Sequence, residues 1–187
     1  MYIYRLFILI SCVVTSLGLF NTAIITPAFS QAGASEKQDY ATVIMYHRFG
    51  ESRYPTTNVS IEQFESHLEF IAQGDYTVAP LIDIIETLQS GGVVKDKTVA
   101  ITVDDAYLSV YTQAWPRLKE YGFPFTIFVA TDPVDNNLKN YMSWDQIREL
   151  LENGVTIGSQ TKSHPHMHRL SPIKVEQELT LSNNRFL

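Results

Sequence analysis

From Tyr40 onward, short apolar runs alternate with stretches whose apolar positions recur at helical spacing. Ala41-Thr42-Val43-Ile44-Met45-Tyr46 is continuous and β-prone, the pattern of a strand buried on both faces. Ser60 can cap a helix whose third position is Gln63, with Ile61, Phe64, Leu68 and Ile71 along one face. A second helix is predicted over Leu81 to Leu88, stopped by Ser90-Gly91-Gly92. Strands are predicted over Thr98 to Val103, Phe125 to Ala130 and Val155 to Gly158. Between them lie a helix from Tyr111 to Tyr121, ended by Gly122, and one capped by Ser143 with Trp144, Ile147, Leu150 and Leu151 on its face. A last helix begins near Val175. Strand and helix in regular alternation predict an α/β architecture with a parallel sheet. In such sheets the chemistry sits beyond the carboxyl ends of the strands.

The N-terminus reads differently. One cation, Arg5, precedes an uncharged apolar run from Leu6 to Phe20, and small residues follow around Ala28 and Ser30. That order is the pattern of a secretory signal peptide over residues 1–30, with an uncleaved membrane anchor as its rival. Residues 31–39 are small and polar, as in a linker, and 40–187 is then the domain. Cleavage near Ser30 removes Arg5, no acidic residue, and Cys12, the one cysteine of the chain. An exported domain of this kind, periplasmic or extracellular, has no disulfide and no thiolate nucleophile.

Composition narrows the partners. The 187 residues are 45% hydrophobic, ordinary for a globular chain, and carry 20 acidic against 14 basic side chains. A net charge of -6 offers no basic footprint for a phosphate backbone, so nucleic acid is excluded as the expected partner.

Two predicted strand ends carry chemistry. One runs into Asp104-Asp105, the other into Gln160-Thr161-Lys162-Ser163-His164-Pro165-His166-Met167-His168. Adjacent carboxylates after an apolar strand repel one another and are costly to desolvate, a cost that a cation or a shared proton relieves. Taken alone, the pair could as well cap a helix from a solvated turn, and the histidines could decorate a surface loop. At equivalent ends of parallel strands, carboxylates and imidazoles can face one crevice and hold Zn²⁺ or a similar divalent ion. His47, just past the first strand, lies at the same rim and could contact substrate or metal, or be a hydrogen-bonded structural residue. Tyr107 could stack on a sugar ring; Trp115 and Trp144 are better read as core.

Thr98 to Ala130, reading TVAITVDDAYLSVYTQAWPRLKEYGFPFTIFVA, resembles the first motif region of the polysaccharide deacetylases, the NodB-homology or carbohydrate esterase family 4 domain. Ile157 to His166, reading IGSQTKSHPH, resembles that family's second motif, and Val43 to Phe49, reading VIMYHRF, resembles its opening strand. The resemblance implies a distorted (β/α) barrel of which this chain holds the N-terminal half. It implies hydrolysis of N-acetyl groups from an amino-sugar polymer, with an N-acetylated glycan as substrate. By position, Asp104 would be the catalytic base, and Asp105 and His164 ligands of a divalent metal, Zn²⁺ or else Co²⁺ or Ni²⁺.

The sequence departs from the family pattern in three places. Gln160 stands where the second motif begins with His, so the metal set would be Asp105, His164 and the poorer ligand Gln160. His166 or His168 could substitute if an extended backbone carried the three histidines on one side. Ala106 replaces a glycine, which is harmless if the backbone angle there is ordinary. Third, the chain stops at Leu187, before the family's later motifs, which supply an Arg and a His that acts as general acid. It is therefore expected to be a truncated deacetylase domain. The competing expectation is a non-catalytic glycan-binding or scaffold domain that has lost a complete metal site.

Overall fold

The computed structural model describes residues 40–187. The signal peptide and linker expected before Tyr40 lie outside the described residues. Strand β1 (Thr42–Tyr46) leads into two short strands, β2 (Arg48–Phe49) and β3 (Asn58–Val59), which pair with each other in parallel. Then follow α1 (Ile61–Gln73), β4 (Thr77–Val78), α2 (Leu81–Gln89), β5 (Thr98–Asp104), α3 (Trp115–Tyr121) and β6 (Thr126–Val129). The short α4 (Thr131–Asp135), α5 (Trp144–Glu152), β7 (Thr156–Ser159) and α6 (Pro172–Asn183) complete the chain.

Four strands form a parallel sheet in the order β1-β5-β6-β7, and β4 pairs with the first two residues of β5. The expected parallel α/β architecture is therefore present, and the sheet is open among the described residues. All four carboxyl ends emerge at one edge. The register is continuous across three strands: Asp104 lies beside Phe128, and Phe128 beside Gly158.

Local sequence accounts for most element ends. Ser60 with Gln63, and Ser143 with Gln146, form complete capping boxes on α1 and α5, each satisfying backbone N–H groups that a helix start leaves unpaired. Gly122 closes α3 at φ +64, a left-handed angle that costs a glycine little. The expected helix from Tyr111 instead starts with a five-residue π turn, Val110–Ala114, in which the Trp115 N–H reaches back to the Val110 carbonyl. Pro116 follows without an N–H to give, which favours the wider turn there. The last helix begins at Pro172 rather than Val175, since proline fits the first helical turn, where its missing donor is not needed.

The core lies between the sheet and α1, α3 and α5. Phe64, Leu68, Leu118, Ile127 and Leu150 are fully buried in one cluster with Phe49, Ile101 and Val103. Strand β5 is buried along nearly its whole length, as predicted. Strand β1 is not: Val43 is 50% and Met45 60% exposed. It is an edge strand of the sheet, and no layer covers its outer face among the described residues. An apolar run reports the tendency to be buried and not whether a second layer is there to bury it. No helix of the described residues is long and apolar enough to cross a membrane.

Two positions test this packing. A Cβ on Gly158 would lie 2.7 Å from the Phe128 ring, so Gly158→Ala should lower stability in urea unfolding by about 1–3 kcal/mol, the usual range for overpacking. The buried Thr126 hydroxyl has no hydrogen-bond partner among the described residues. Thr126→Val keeps the shape and removes that unpaired group, and should raise stability by about 1 kcal/mol in the same assay.

Candidate active site

The chemistry-bearing residues come from three adjoining strand ends. Asp104 is the last residue of β5, and Asp105 and Ala106 follow it with left-handed backbone at φ +72 and +54. Ala106 therefore does not sit at the ordinary angle under which replacing glycine is harmless. A left-handed L-residue other than Gly, Asn or Asp costs about 1–2 kcal/mol. Ala106 is fully buried, and its carbonyl accepts from Met142 N at 2.9 Å, contacts that hold the strained turn in place. The turn bends the chain so that the Asp105 side chain follows Asp104 into the same crevice.

Beyond β7, Thr161 and His164 are left-handed as well, at φ +67 and +54. Gln160 stays tied to β6 by its N–H to the Val129 carbonyl at 2.9 Å, and its Oε1 accepts from Asp105 N at 3.1 Å. His164 Nδ1 lies 3.9 Å from Asp105 Oδ1. From the end of β1, His47 Nε2 lies 4.0 Å from Asp104 Oδ2. The structure thus brings Asp104, Asp105, Gln160, His164 and His47 together. His166 and His168 do not join them. The backbone turns left-handed at His164 and enters a short 3₁₀ helix at Met167–Arg169, so the three histidines are not aligned on one side of an extended strand. Their rings are exposed and 5.8 Å apart.

Both carboxylates are mostly covered, with side chains 16% and 15% exposed for Asp104 and Asp105. Burial pushes the Asp104 carboxyl above its ordinary pKa; His47 opposes this, Asp105 adds to it, and His164 and a hydrogen bond from Gln160 oppose it further. The burial effect wins because adjacent carboxylates share one poorly solvated corner.

Asp105 and His164 are spaced as two ligands of one divalent ion can be. Their 3.9 Å separation is too long for a hydrogen bond, yet two ligands about 2.0–2.2 Å from one ion stand no more than about 4.4 Å apart. Among the described residues no group of three His, Cys, Asp or Glu side chains is placed to hold a metal. The Gln160 oxygen, which accepts from Asp105 N at 3.1 Å, is a further oxygen donor beside the pair.

Arg48 was not singled out by the motifs. Buried beneath the rim, it lies over the Tyr107 ring at 3.3 Å from the centroid and over Tyr54 at 3.9 Å, and pairs with Glu51 at 2.9 Å. Glu51 in turn accepts from the Ser109 hydroxyl at 2.7 Å. Burial, with a hydrogen bond to Tyr141 and the charge of Asp105, holds the Tyr107 hydroxyl well above its ordinary pKa and therefore neutral. Tyr107 is thus fastened between Arg48 and Tyr141, whose ring centroid is 4.8 Å away, which steadies the turn that carries Asp105. Trp115 and Trp144 pack against the core, as predicted.

YxkH of Bacillus subtilis (strain 168), named as a polysaccharide deacetylase, is 27% identical over 152 residues, covering 81% of this chain and 53% of that protein. The poly-beta-1,6-N-acetyl-D-glucosamine N-deacetylase of Staphylococcus aureus (strain MRSA252) is 27% identical over 153 residues, 72% of this chain and 51% of that one. The chain therefore spans about half the length of these relatives. Among solved structures, the Streptococcus pyogenes deacetylase PplD shares the fold with a TM-score of 0.70 at 21% identity, over 77% of this chain and 66% of that one. IcaB from Ammonifex degensii aligns with a TM-score of 0.62 at 26% identity, over 80% and 67%. The open sheet thus corresponds to part of a deacetylase-type α/β barrel. The family model described as polysaccharide deacetylase matches residues 91–186, the stretch that contains both carboxylates and His164, and the chain belongs to the polysaccharide deacetylase family.

Proposed function

We propose that this site serves a metal-dependent hydrolase that removes N-acetyl groups from an amino-sugar polysaccharide. The observation that carries this reading is the meeting of the Asp104-Asp105 pair with Gln160 and His164 across β5, β6 and β7, at 3.1 and 3.9 Å. Asp105 and His164 would hold the ion. The Gln160 oxygen keeps a lone pair beyond the Asp105 N–H it accepts from, and would add a weak third contact. A Zn²⁺, Co²⁺ or Ni²⁺ ion bound there supplies polarisation of an amide carbonyl and a lowered pKa for an attacking water.

Asp104 is the base in this reading. Its raised pKa brings it closer to the range in which a carboxylate both stays ionised at neutral pH and accepts a proton readily. His47, 4.0 Å away, is too far for a hydrogen bond and acts on the carboxylate through its charge, opposing the rise in its pKa. The steric frame is the Tyr107-Arg48 stack, which keeps the turn after β5 from relaxing. Export, expected from the apolar N-terminus, would put the protein where exopolysaccharide or peptidoglycan is met. The name of the staphylococcal relative makes a β-1,6-linked N-acetylglucosamine oligomer the first substrate to assay.

The engagement of Gln160 with the Asp105 backbone favours a second reading, a glycan-binding domain without a working metal site. Acetate release from the oligomer with Zn²⁺, Co²⁺ or Ni²⁺ supplied separates the two. The hydrolase reading expects release that EDTA abolishes; glycan binding indifferent to EDTA, with no acetate formed, contradicts it.

Asp104→Asn should lower acetate release by about 10²–10⁴-fold, the usual worth of a general base. It should also raise the unfolding midpoint at neutral pH. Because the folded pKa of Asp104 lies above the unfolded value, folding favours the protonated form. That contribution is present below the unfolded pKa and is lost as pH rises through the folded one, whereas the uncharged Asn keeps it at every pH. A lower midpoint for Asp104→Asn at neutral pH would contradict the burial argument.

A further inference from the structure

Helix α6 meets the site through two polar side chains one turn apart on the same face. Ser182, fully buried, shares a 2.7 Å hydrogen bond with Ser159 at the end of β7. Four residues earlier, the Glu178 carboxylate accepts from Ser163 N at 2.7 Å and from Ser163 Oγ at 2.8 Å, and its backbone carbonyl accepts from Lys162 N at 3.2 Å. Ser163 is the residue directly before His164.

The loop needs such a fastening. β7 ends at Ser159, and Thr161 and His164 are both left-handed, angles that persist only where neighbours over-determine them. Helix α4 ties down the first part: Thr131 N donates to the Thr161 carbonyl and Asp132 N to that of Lys162, while the Lys162 ammonium pairs with Asp132 at 2.7 Å. Near His164 itself, the ties are the bond from its N–H to Thr161 Oγ1 at 3.1 Å and the Glu178 bonds to Ser163. The His164 side chain is 56% exposed, so packing does not lock its direction.

We propose that Glu178 is a positioning residue: acting through Ser163, it sets the direction of the His164 imidazole toward Asp105 and thereby the affinity of that pair for a divalent ion. The inference rests on the reading of Asp105 and His164 as metal ligands. Burial opposes the charge on Glu178, but the Ser163 hydrogen bonds outweigh it and hold the carboxyl below its ordinary pKa. The carboxylate is therefore ionised at neutral pH and makes charge-assisted bonds, the stronger kind.

Partners one step removed from a metal ligand typically change its metal affinity by about 10–100-fold when removed. The test is a Co²⁺ titration of the whole chain, read by calorimetry and visible absorption, with amide hydrogen exchange of residues 161–164 measured in the metal-free protein. Glu178→Ala should weaken Co²⁺ binding about tenfold or more and speed exchange in the loop. Glu178→Gln, whose carboxamide oxygen still accepts the Ser163 N–H, should recover most of both. If Glu178→Ala does not fold, Glu178→Asp, one methylene shorter, takes its place with the same direction expected. Folded variants with unchanged Co²⁺ affinity and unchanged exchange would overturn the proposal. Absence of Co²⁺ binding by the unaltered chain would overturn the metal-site reading, and this inference with it.

Discussion

The parallel register of β5, β6 and β7 is the constraint on which the site depends. Neighbouring strands lie about 4.8 Å apart, and Asp104, Phe128 and Gly158 stand side by side across them. The residues two beyond Gly158 and one beyond Asp104 are then close enough for the Gln160 carboxamide to reach the Asp105 N–H. A slip of one residue would turn every side chain to the opposite face and separate the carboxylates from the histidine loop. The buried apolar faces of β5 and β6 prevent that slip, so the hydrophobic core and the polar site are specified together.

On this rigid edge the chain stores strain. Four non-glycine residues with left-handed backbone, Asp105, Ala106, Thr161 and His164, fall in the two loops that form the crevice. Each is held by a nearby hydrogen bond or by burial: Ala106 by Met142, Thr161 by Thr131, His164 by Thr161 and Asp105 by Gln160. Crowding two carboxylates into a partly desolvated corner adds an electrostatic cost, visible in the raised pKa of Asp104. Strain and repulsion of this kind persist at sites where geometry serves chemistry, at the expense of stability.

Much of this was legible in the residues. Apolar runs marked β5, β6 and β7, two capping boxes marked the starts of α1 and α5, and the loading of two strand ends located the crevice. What was hidden has physical reasons. The left-handed turn at Asp105-Ala106 has no glycine to announce it. The exposed outer face of β1 has no covering layer among the described residues, and a run of apolar residues does not encode whether one is present. The π turn before Trp115 depends on Pro116, and α4, five residues long with Pro133 inside it, has no helical periodicity to read. The roles of Arg48 and Glu178 arise from packing between segments far apart in the chain, so no local motif carries them.

We propose that the ends of β5 and β7 together hold a divalent ion at one hydrolytic site. Anomalous X-ray diffraction at the zinc edge, from crystals grown with Zn²⁺, tests it most directly. The account predicts one strong peak between Asp105 Oδ1 and His164 Nδ1, with the Asp104 carboxylate beside it and not bound to it. Zinc bound instead at the exposed His166 and His168, or no peak in the crevice at saturating Zn²⁺, would contradict it.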